Sequence, residues 1–289
     1  MKTLKIYSVL SAILAISLFS CDIVEEPFMT VQEEVSDSCE AFIFSPIENP
    51  IKKVLLEDYT GQQCGNCPRA AEKAVELQEI YGDQLVVMAV HAGFFASTSS
   101  SYPTDFTTGA GDDWDTNFGN SSAGNPNGQI DRVNFPNGHI YQYSQWGQII
   151  DEQLQNEPQI GIQIMASHNE AANLICVDAQ TEVYNTIDHD LNITVVILEN
   201  GLISNQTDYS VPSQHIEDYE QNHVLRKSLN GSWGENLGQE SYLEHDFIIN
   251  RYSTEASTEW NIENMLVLAF VSNPETYEVL QVEEVHITE

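Results

Sequence analysis

The stretch IKKVLLEDYTGQQCGNCPRAAEKAVELQEIY, residues 51–81, decides the fold. Residues 51–59 read as a strand with a buried end. Residues 60–66, with Gly61 and Gly65, read as a turn. Residues 68–81 read as a helix. Pro68 is tolerated at its first position because the N–H that proline lacks has no helical acceptor there. Ala70, Ala74, Leu77 and Tyr81 recur at helical spacing, while Arg69, Glu72, Lys73, Glu76 and Glu79 fall mostly elsewhere. Gly82 and Asp83 stop the helix. Residues 84–91, QLVVMAVH, then form a continuous apolar run, the pattern of a parallel strand covered on both faces. At the join of the first strand and its helix lies a Cys-x-x-Cys pair, Cys64 and Cys67.

Working outward, residues 93–128 are a long Gly-, Ser-, Asn- and Asp-rich excursion, with a helical turn or two expected near residues 112–118. Residues 129–135 read as a strand. Pro136-Asn137-Gly138 is a hairpin turn, because Asn-Gly takes the positive φ values that such turns need. Residues 139–142 are the return strand. Residues 143–156 are a helix with Trp146, Ile149, Ile150 and Leu154 available for one face, and Pro158 closes it. Strand, helix, strand, excursion, hairpin, helix is the order of the thioredoxin fold, which residues 51–157 resemble. The resemblance implies a redox role for Cys64 and Cys67 and a buried acid at Asp58, six residues before Cys64. It also implies a cis-proline loop at Asn125-Pro126 facing the disulfide. Three residues depart from the family pattern: Gln63 stands for the usual tryptophan, the central dipeptide is Gly65-Asn66, and Pro68 follows the second cysteine.

The chemistry follows from position. A thiol attacks as thiolate, and a helix N-terminus favours that charge through its unpaired N–H groups and dipole. Cys64 is expected just outside the helix as the exposed nucleophile, and Cys67 inside the first turn as the resolving thiol. Asp58 is placed to move protons for Cys67, Arg69 to support a thiolate, and Pro126 to shape the cleft. The competing reading is a static structural disulfide, with Asp58 a strand-end acid paired to Lys52 or Lys53 and His91 a structural histidine. No second Cys-x-x-Cys or close His pair completes a zinc site, and no metal or cofactor is expected. Asp113, Asp115 and Asn117 mimic the start of a calcium loop, but Phe118 and Gly124 stand where glycine and glutamate are needed. Turn chemistry explains this composition without a cation.

The first residues read as an address. Lys2 and Lys5 precede the apolar residues 6–19, a run too short for a comfortable membrane span. Leu18-Phe19-Ser20-Cys21 resembles the lipobox of bacterial lipoproteins, which implies cleavage of residues 1–20 and lipidation of Cys21. Phe19 is the departure there. Asp22, Glu25 and Glu26 resemble the export signal of surface lipoproteins of Bacteroidetes-type bacteria. Residues 21–50, with Pro27, Pro46 and Pro50, read as an acidic tether. Of five cysteines, Cys39 and Cys176 remain. In an oxidising compartment they either pair or stay as buried thiols.

The 289 residues hold 10 Lys+Arg against 44 Asp+Glu, a net charge of -34. That balance excludes nucleic acid as a partner, because phosphate binding needs a basic surface. It equally excludes docking on anionic lipid through basic patches. The excess is steeper in residues 151–289, with 3 basic and 25 acidic side chains, than in residues 1–150, with 7 and 19.

From residue 159 helical spacing stops. Strand patterns recur near residue 160 and at 174–184, 191–199, 223–229, 243–250, 265–272 and 279–287, separated by turn signals such as Asn200-Gly201 and Asn230-Gly231. They predict an all-β, immunoglobulin-like sandwich over residues 158–289. Together with the lipobox, Thr60-Gly61 and Cys64-Gly-Asn-Cys67-Pro68, the segments at residues 219–226 and 279–283 resemble the twenty-eight-kilodalton-type outer membrane lipoproteins of Bacteroidetes. That resemblance implies an α/β thioredoxin-like domain followed by a β-sandwich, anchored at the outer membrane through lipidated Cys21. The expected activity is thiol–disulfide exchange on exported protein thiols or disulfides. The alternative is a surface binding or structural lipoprotein in which the Cys64–Cys67 bond is structural.

Overall fold

The computed structural model describes residues 39–239 and 241–288, so the lipidation residue expected at Cys21 and the signal segment before it lie outside the described residues. Strand β1 (Val54–Thr60) leads into helix α1 (Cys67–Tyr81), and β2 (Leu85–His91) returns parallel to β1 with Val54 opposite Leu85 and Thr60 opposite His91. Two short helices, α2 (Gly109–Phe118) and α3 (Asn120–Ala123), occupy the excursion. Strand β3 (Asn127–Ile130) pairs antiparallel with β1, and helix α4 (Trp146–Gln153) follows a 3-10 turn over Tyr143–Gln145. The element order expected for residues 51–157 is therefore present. The hairpin is smaller than predicted. The chain leaves the strand after Ile130 because Asp131 (φ 46°) and Arg132 (φ 53°) turn left-handed. Of the return strand only Tyr141 remains, bonded to Gly128 in both directions at 2.9 and 2.8 Å.

Apart from a 3-10 turn over Ile262–Asn264, the regular structure of the second half is strand: β4 (Ile160–Asn169), β5 (Leu174–Val183), β6 (Asn192–Glu199), β7 (Leu202–Thr207), β8 (His215–Gln221), β9 (Val224–Ser228), β10 (Glu235–Asn236), β11 (Phe247–Glu255), β12 (Met265–Ser272) and β13 (Val279–His286). These strands do not close on themselves. One eight-stranded sheet runs β13-β12-β6-β9-β2-β1-β3, with β10 also on β6. Strand β9 joins the halves by pairing parallel with β2 at Ala89 and Val224, and Ala89 N–H donates to His223 C=O at 2.8 Å. A three-stranded sheet, β11-β5-β4, packs on one face of β6 and β12.

The reason is in the burial pattern. Ile193, Val195 and Ile197 of β6, with Met265, Val267, Ala269 and Val271 of β12, meet Ile160, Ile175 and Val177 from the three-stranded sheet. The intervening Val196, Leu198, Leu266, Leu268 and Phe270 point the other way, into a second core with Leu55, Tyr59, Met88, Trp114 and Phe118. Both strands are buried at nearly every position, the pattern of strands covered on both faces. They serve two cores at once, so no independent two-layer unit begins at residue 158. A third core lies on the α1 and α4 side of the sheet, around Val54, Leu56, Ala70, Leu77, Trp146 and Ile150.

The tether reading also needs correction from residue 39 on. Cys39 is disulfide-bonded to Cys176, Phe42 N–H donates to Asp178 Oδ2 at 3.2 Å, and the Ile47 side chain lies against Gly161. Cys176 and Asp178 alternate with the core residues Ile175 and Val177, so this segment crosses the outer face of the three-stranded sheet.

Candidate functional site

The Cys pair is held by the end of β1 and the start of α1. Cys64 N–H donates to Gly61 C=O at 3.0 Å and Cys67 N–H to Cys64 C=O at 3.2 Å, a tight turn that delivers Cys67 into the first helical turn with Pro68 after it. The two sulfurs are bonded to each other. Gly61 is required by close approach: a Cβ there would lie 2.4 Å from the Phe95 carbonyl carbon, whose oxygen accepts from Gln63 N–H at 3.0 Å. At Gly65 a Cβ would meet the Tyr209 ring at 2.5 Å, so a side chain there would push that ring aside.

Of the predicted site residues, Asp58 and Cys67 line one cavity. Asp58 alternates with Leu56 on β1 and so shares the α1 face of the sheet with the third core. It is 3 % exposed, and its Oδ1 has no hydrogen-bond partner among the described residues. Burial pushes its carboxyl up to about 7. The expected alternative, pairing with Lys52 or Lys53, is not what forms: Lys52 bonds to Asp131 at 2.7 Å and Lys53 to Glu283. Asp58, Thr60, Cys67 and Pro68 line one cavity of about 160 Å³. The Asn125-Pro126 peptide is cis and Pro126 is buried. Asn127 pairs with Tyr59, which sets Pro126 at the β1 end from which the Cys loop departs. Asn125 Nδ2 donates to Thr60 C=O at 3.4 Å. Arg69 is exposed at the helix start.

Cys64 is where the structure departs from expectation. It is 2 % exposed, as is Cys67, rather than an open nucleophile. The loop that carries it is overlaid by the β7–β8 hairpin, which the sequence reading left unassigned. Thr207 N–H donates to Gln62 C=O and Tyr209 N–H to Gly65 C=O, each at 2.8 Å. Gln206 Nε2 donates to Cys64 C=O at 3.1 Å, and Gln221 Nε2 to Gln206 Oε1 at 3.0 Å. Tyr219, Gln221 and His223 complete the cavity beside Asp58. Burial, with the charge of Asp58, raises the Tyr219 phenol to about 12, and burial lowers His223 to about 4. The hairpin escaped the sequence reading because its buried strand positions are Ser204, Gln206 and Gln221, which hydrogen-bond one another and the Cys-loop carbonyls and leave no apolar alternation.

His91 is buried with neither ring nitrogen hydrogen-bonded among the described residues. Burial and the nearby Arg226 charge lower it to about 4, so it is neutral at pH 7. On the opposite face of β1, Glu57 makes a bidentate pair with Arg132, both bonds 2.8 Å, and the guanidinium lies 4.8 to 5.0 Å from the ring centres of Trp114, Phe118 and Phe270. The carboxylates of the calcium-like run serve as local acceptors. Asp115 takes Ser121 N–H at 2.7 Å and Asp113 takes the Ser232 hydroxyl.

The family model described as outer membrane protein Omp28 matches residues 112–289, more than half of the chain. The chain belongs to the Omp28 family of outer membrane proteins. The matched part of this Omp28-family chain starts in α2, so Cys64 and Cys67 lie outside it. No curated protein matches significantly. Among solved structures, HBP35 of Porphyromonas gingivalis is similar with a TM-score of 0.62 at 17% identity, over 82% of this chain and 76% of that one. That likeness is one of fold alone. A domain of the outer membrane lipoprotein Omp28 from Porphyromonas gingivalis is 23% identical, covering 46% of this chain and 91% of that one, with a TM-score of 0.30.

Proposed function

We propose that this Omp28-family protein carries out thiol–disulfide exchange on exported polypeptides through a thioredoxin-like segment, residues 51–157. We further propose that lipidated Cys21 anchors it at the outer membrane, with the β-rich second half as its scaffold. The observation that carries the exchange reading is the cavity shared by Asp58 and Cys67. A structural disulfide needs no buried, unpaired acid beside it, whereas an exchanging pair needs a proton for the departing thiolate. Asp58, raised to about 7, is protonated in about half of the molecules at neutral pH and can supply it.

A thiolate of the exported partner attacks Cys64 Sγ. The Cys64–Cys67 bond breaks, and its electron pair leaves on Cys67 Sγ, which takes the proton from Asp58. A second partner thiolate then attacks the partner sulfur of the mixed disulfide and releases Cys64. The partner dithiol is oxidised to a disulfide and the pair is reduced. A second protein disulfide, reacting in the reverse sense, restores it.

The second reading, a structural disulfide in a surface binding protein, is favoured by the burial of both cysteines. Trapping separates the two. With Cys67→Ser, the exchange reading expects a mixed disulfide through Cys64 that reductant releases. Failure to trap any exported protein, together with no reduction of insulin by the reduced wild type, contradicts it. The anchor is tested apart from the chemistry: Cys21→Ser is expected to leave the membrane fraction, and its retention there contradicts lipid anchoring.

A further inference from the structure

An incoming thiolate must reach Cys64 Sγ along the S–S axis, yet both cysteines are 2 % exposed and the β7–β8 hairpin lies along their loop. The contact is made by main-chain hydrogen bonds. Thr207 and Tyr209, two residues apart, aim their N–H groups at Gln62 C=O and Gly65 C=O of the Cys turn. Gln206 adds a side-chain donor to Cys64 C=O, and the Tyr209 ring fills the space a side chain at residue 65 would take. These acceptors are what an extended polypeptide uses when it adds itself to an exposed edge.

We propose that the β7–β8 hairpin is a gate: residues 206–209 occupy the main-chain acceptors of the Cys loop on which an extended partner polypeptide docks, and exchange requires the hairpin to swing away. This rests on the exchange reading above. Three observations carry it. The hairpin forms a two-stranded sheet of its own, paired with neither larger sheet. It contributes no residue to any of the three apolar cores, so moving it uncovers little apolar surface. Its two roots each contain a left-handed residue, Gly201 (φ 70°) and His223 (φ 56°), and they are tied to each other by Gly201 N–H to Asn222 Oδ1 at 2.8 Å and His223 N–H to Asn200 Oδ1 at 2.7 Å. Beyond the Cys loop, its polar holds are Tyr102 on Thr207 at 2.6 Å and on His215 at 3.3 Å, and Asn205 on Ser101 C=O at 2.7 Å. The partner that displaces it is an extended segment offering two N–H groups at strand spacing and a flat side chain over Gly65.

The test is the reduction rate of the Cys64–Cys67 bond in the full chain by dithiothreitol at pH 8, quenched by alkylation and read pair by pair from peptide masses. In the wild type the rate is expected to level off with reductant as gate opening becomes limiting. Gln206→Glu, which removes the donor to Cys64 C=O, and Tyr209→Ala are each expected to raise it at least tenfold, while the rate at the Cys39–Cys176 bond stays unchanged. A wild-type rate that stays linear in reductant and equals both variants overturns the gate. If a variant unfolds, seen as faster reduction at the Cys39–Cys176 bond too, wild-type amide exchange decides. Thr207 and Tyr209 N–H exchanging at least a hundredfold faster than β12 supports the gate, and equal protection overturns it. Gated reduction without any trapped partner leaves the gate standing and removes the exchange reading. Equal trapping by the wild type and the open variants does the opposite.

Discussion

The two disulfides of this chain are opposites. Cys39 and Cys176 are 137 residues apart and pin the entering segment to the outer face of the three-stranded sheet. Cys64 and Cys67 are three residues apart and link a turn to the first turn of α1. Loop-closure entropy makes the first bond worth about 5 kcal/mol and the second about 2 kcal/mol. A bond that contributes little to stability, placed at a helix N-terminus beside a buried acid, is suited to being opened and closed. The long-range bond has no comparable surroundings: the acid near it, Asp178, is already paired with Arg251 at 3.2 Å and with Phe42 N–H.

The largest expected effect tests that contrast at its stable end. Replacing Cys39 and Cys176 together by Ser should lower unfolding free energy by about 5 kcal/mol in urea titrations, against about 2 kcal/mol for Ser at residues 64 and 67. Equal losses would erase the distinction.

Next is the ion pair on the far face of β1. Arg132→Met leaves Glu57 charged and buried among aromatic rings, which should cost about 4 kcal/mol. Adding Glu57→Gln should recover most of it. No recovery would show that the arginine acts by packing against Trp114, Phe118 and Phe270 rather than by charge.

The third effect is smaller and depends on pH. Burial raises Asp58 in the folded state to about 7, against an ordinary 3.8. Between these values the folded chain binds more protons than the unfolded one, so stability falls as pH rises through that window. Asp58→Asn should therefore be more stable than the wild type by about 3 kcal/mol at pH 6, with the gain vanishing near pH 4. His91 and His223, both lowered to about 4, act in the other direction. Their contribution is whole above about pH 6.5 and is lost as pH falls toward 4, so the variant and wild type are compared at each pH. If Asp58 is the proton donor of the exchange proposed above, the same variant should also slow formation of the mixed disulfide.

How far the sequence carries the fold is clearest at these same places. The β1–α1–β2 unit is legible because its signals are local: a Cys pair, a proline at the helix start and an unbroken apolar run. Asp58 is found by its interval from Cys64, but its lack of a cation is not, because that depends on Lys52 turning to Asp131 and Lys53 to Glu283. The runs in β6 and β12 are as continuous as that in β2, and read by the same rule they signal burial on both faces and one shared sheet. The expected sandwich overlooked this. The pairing of Glu57 with Arg132 spans 75 residues and needs two left-handed residues in succession, which no local pattern announces. The hairpin over the Cys pair stayed hidden because its inner face is polar.

The central claim is that the Cys64–Cys67 bond exchanges while the Cys39–Cys176 bond holds. The most direct measurement is the equilibrium reduction potential of each bond in the folded chain against glutathione buffers. The Cys64–Cys67 potential is expected to lie above about −300 mV, with the Cys39–Cys176 bond still oxidised there. A Cys64–Cys67 potential below about −300 mV, in the range of bonds that resist the glutathione pool, would contradict it.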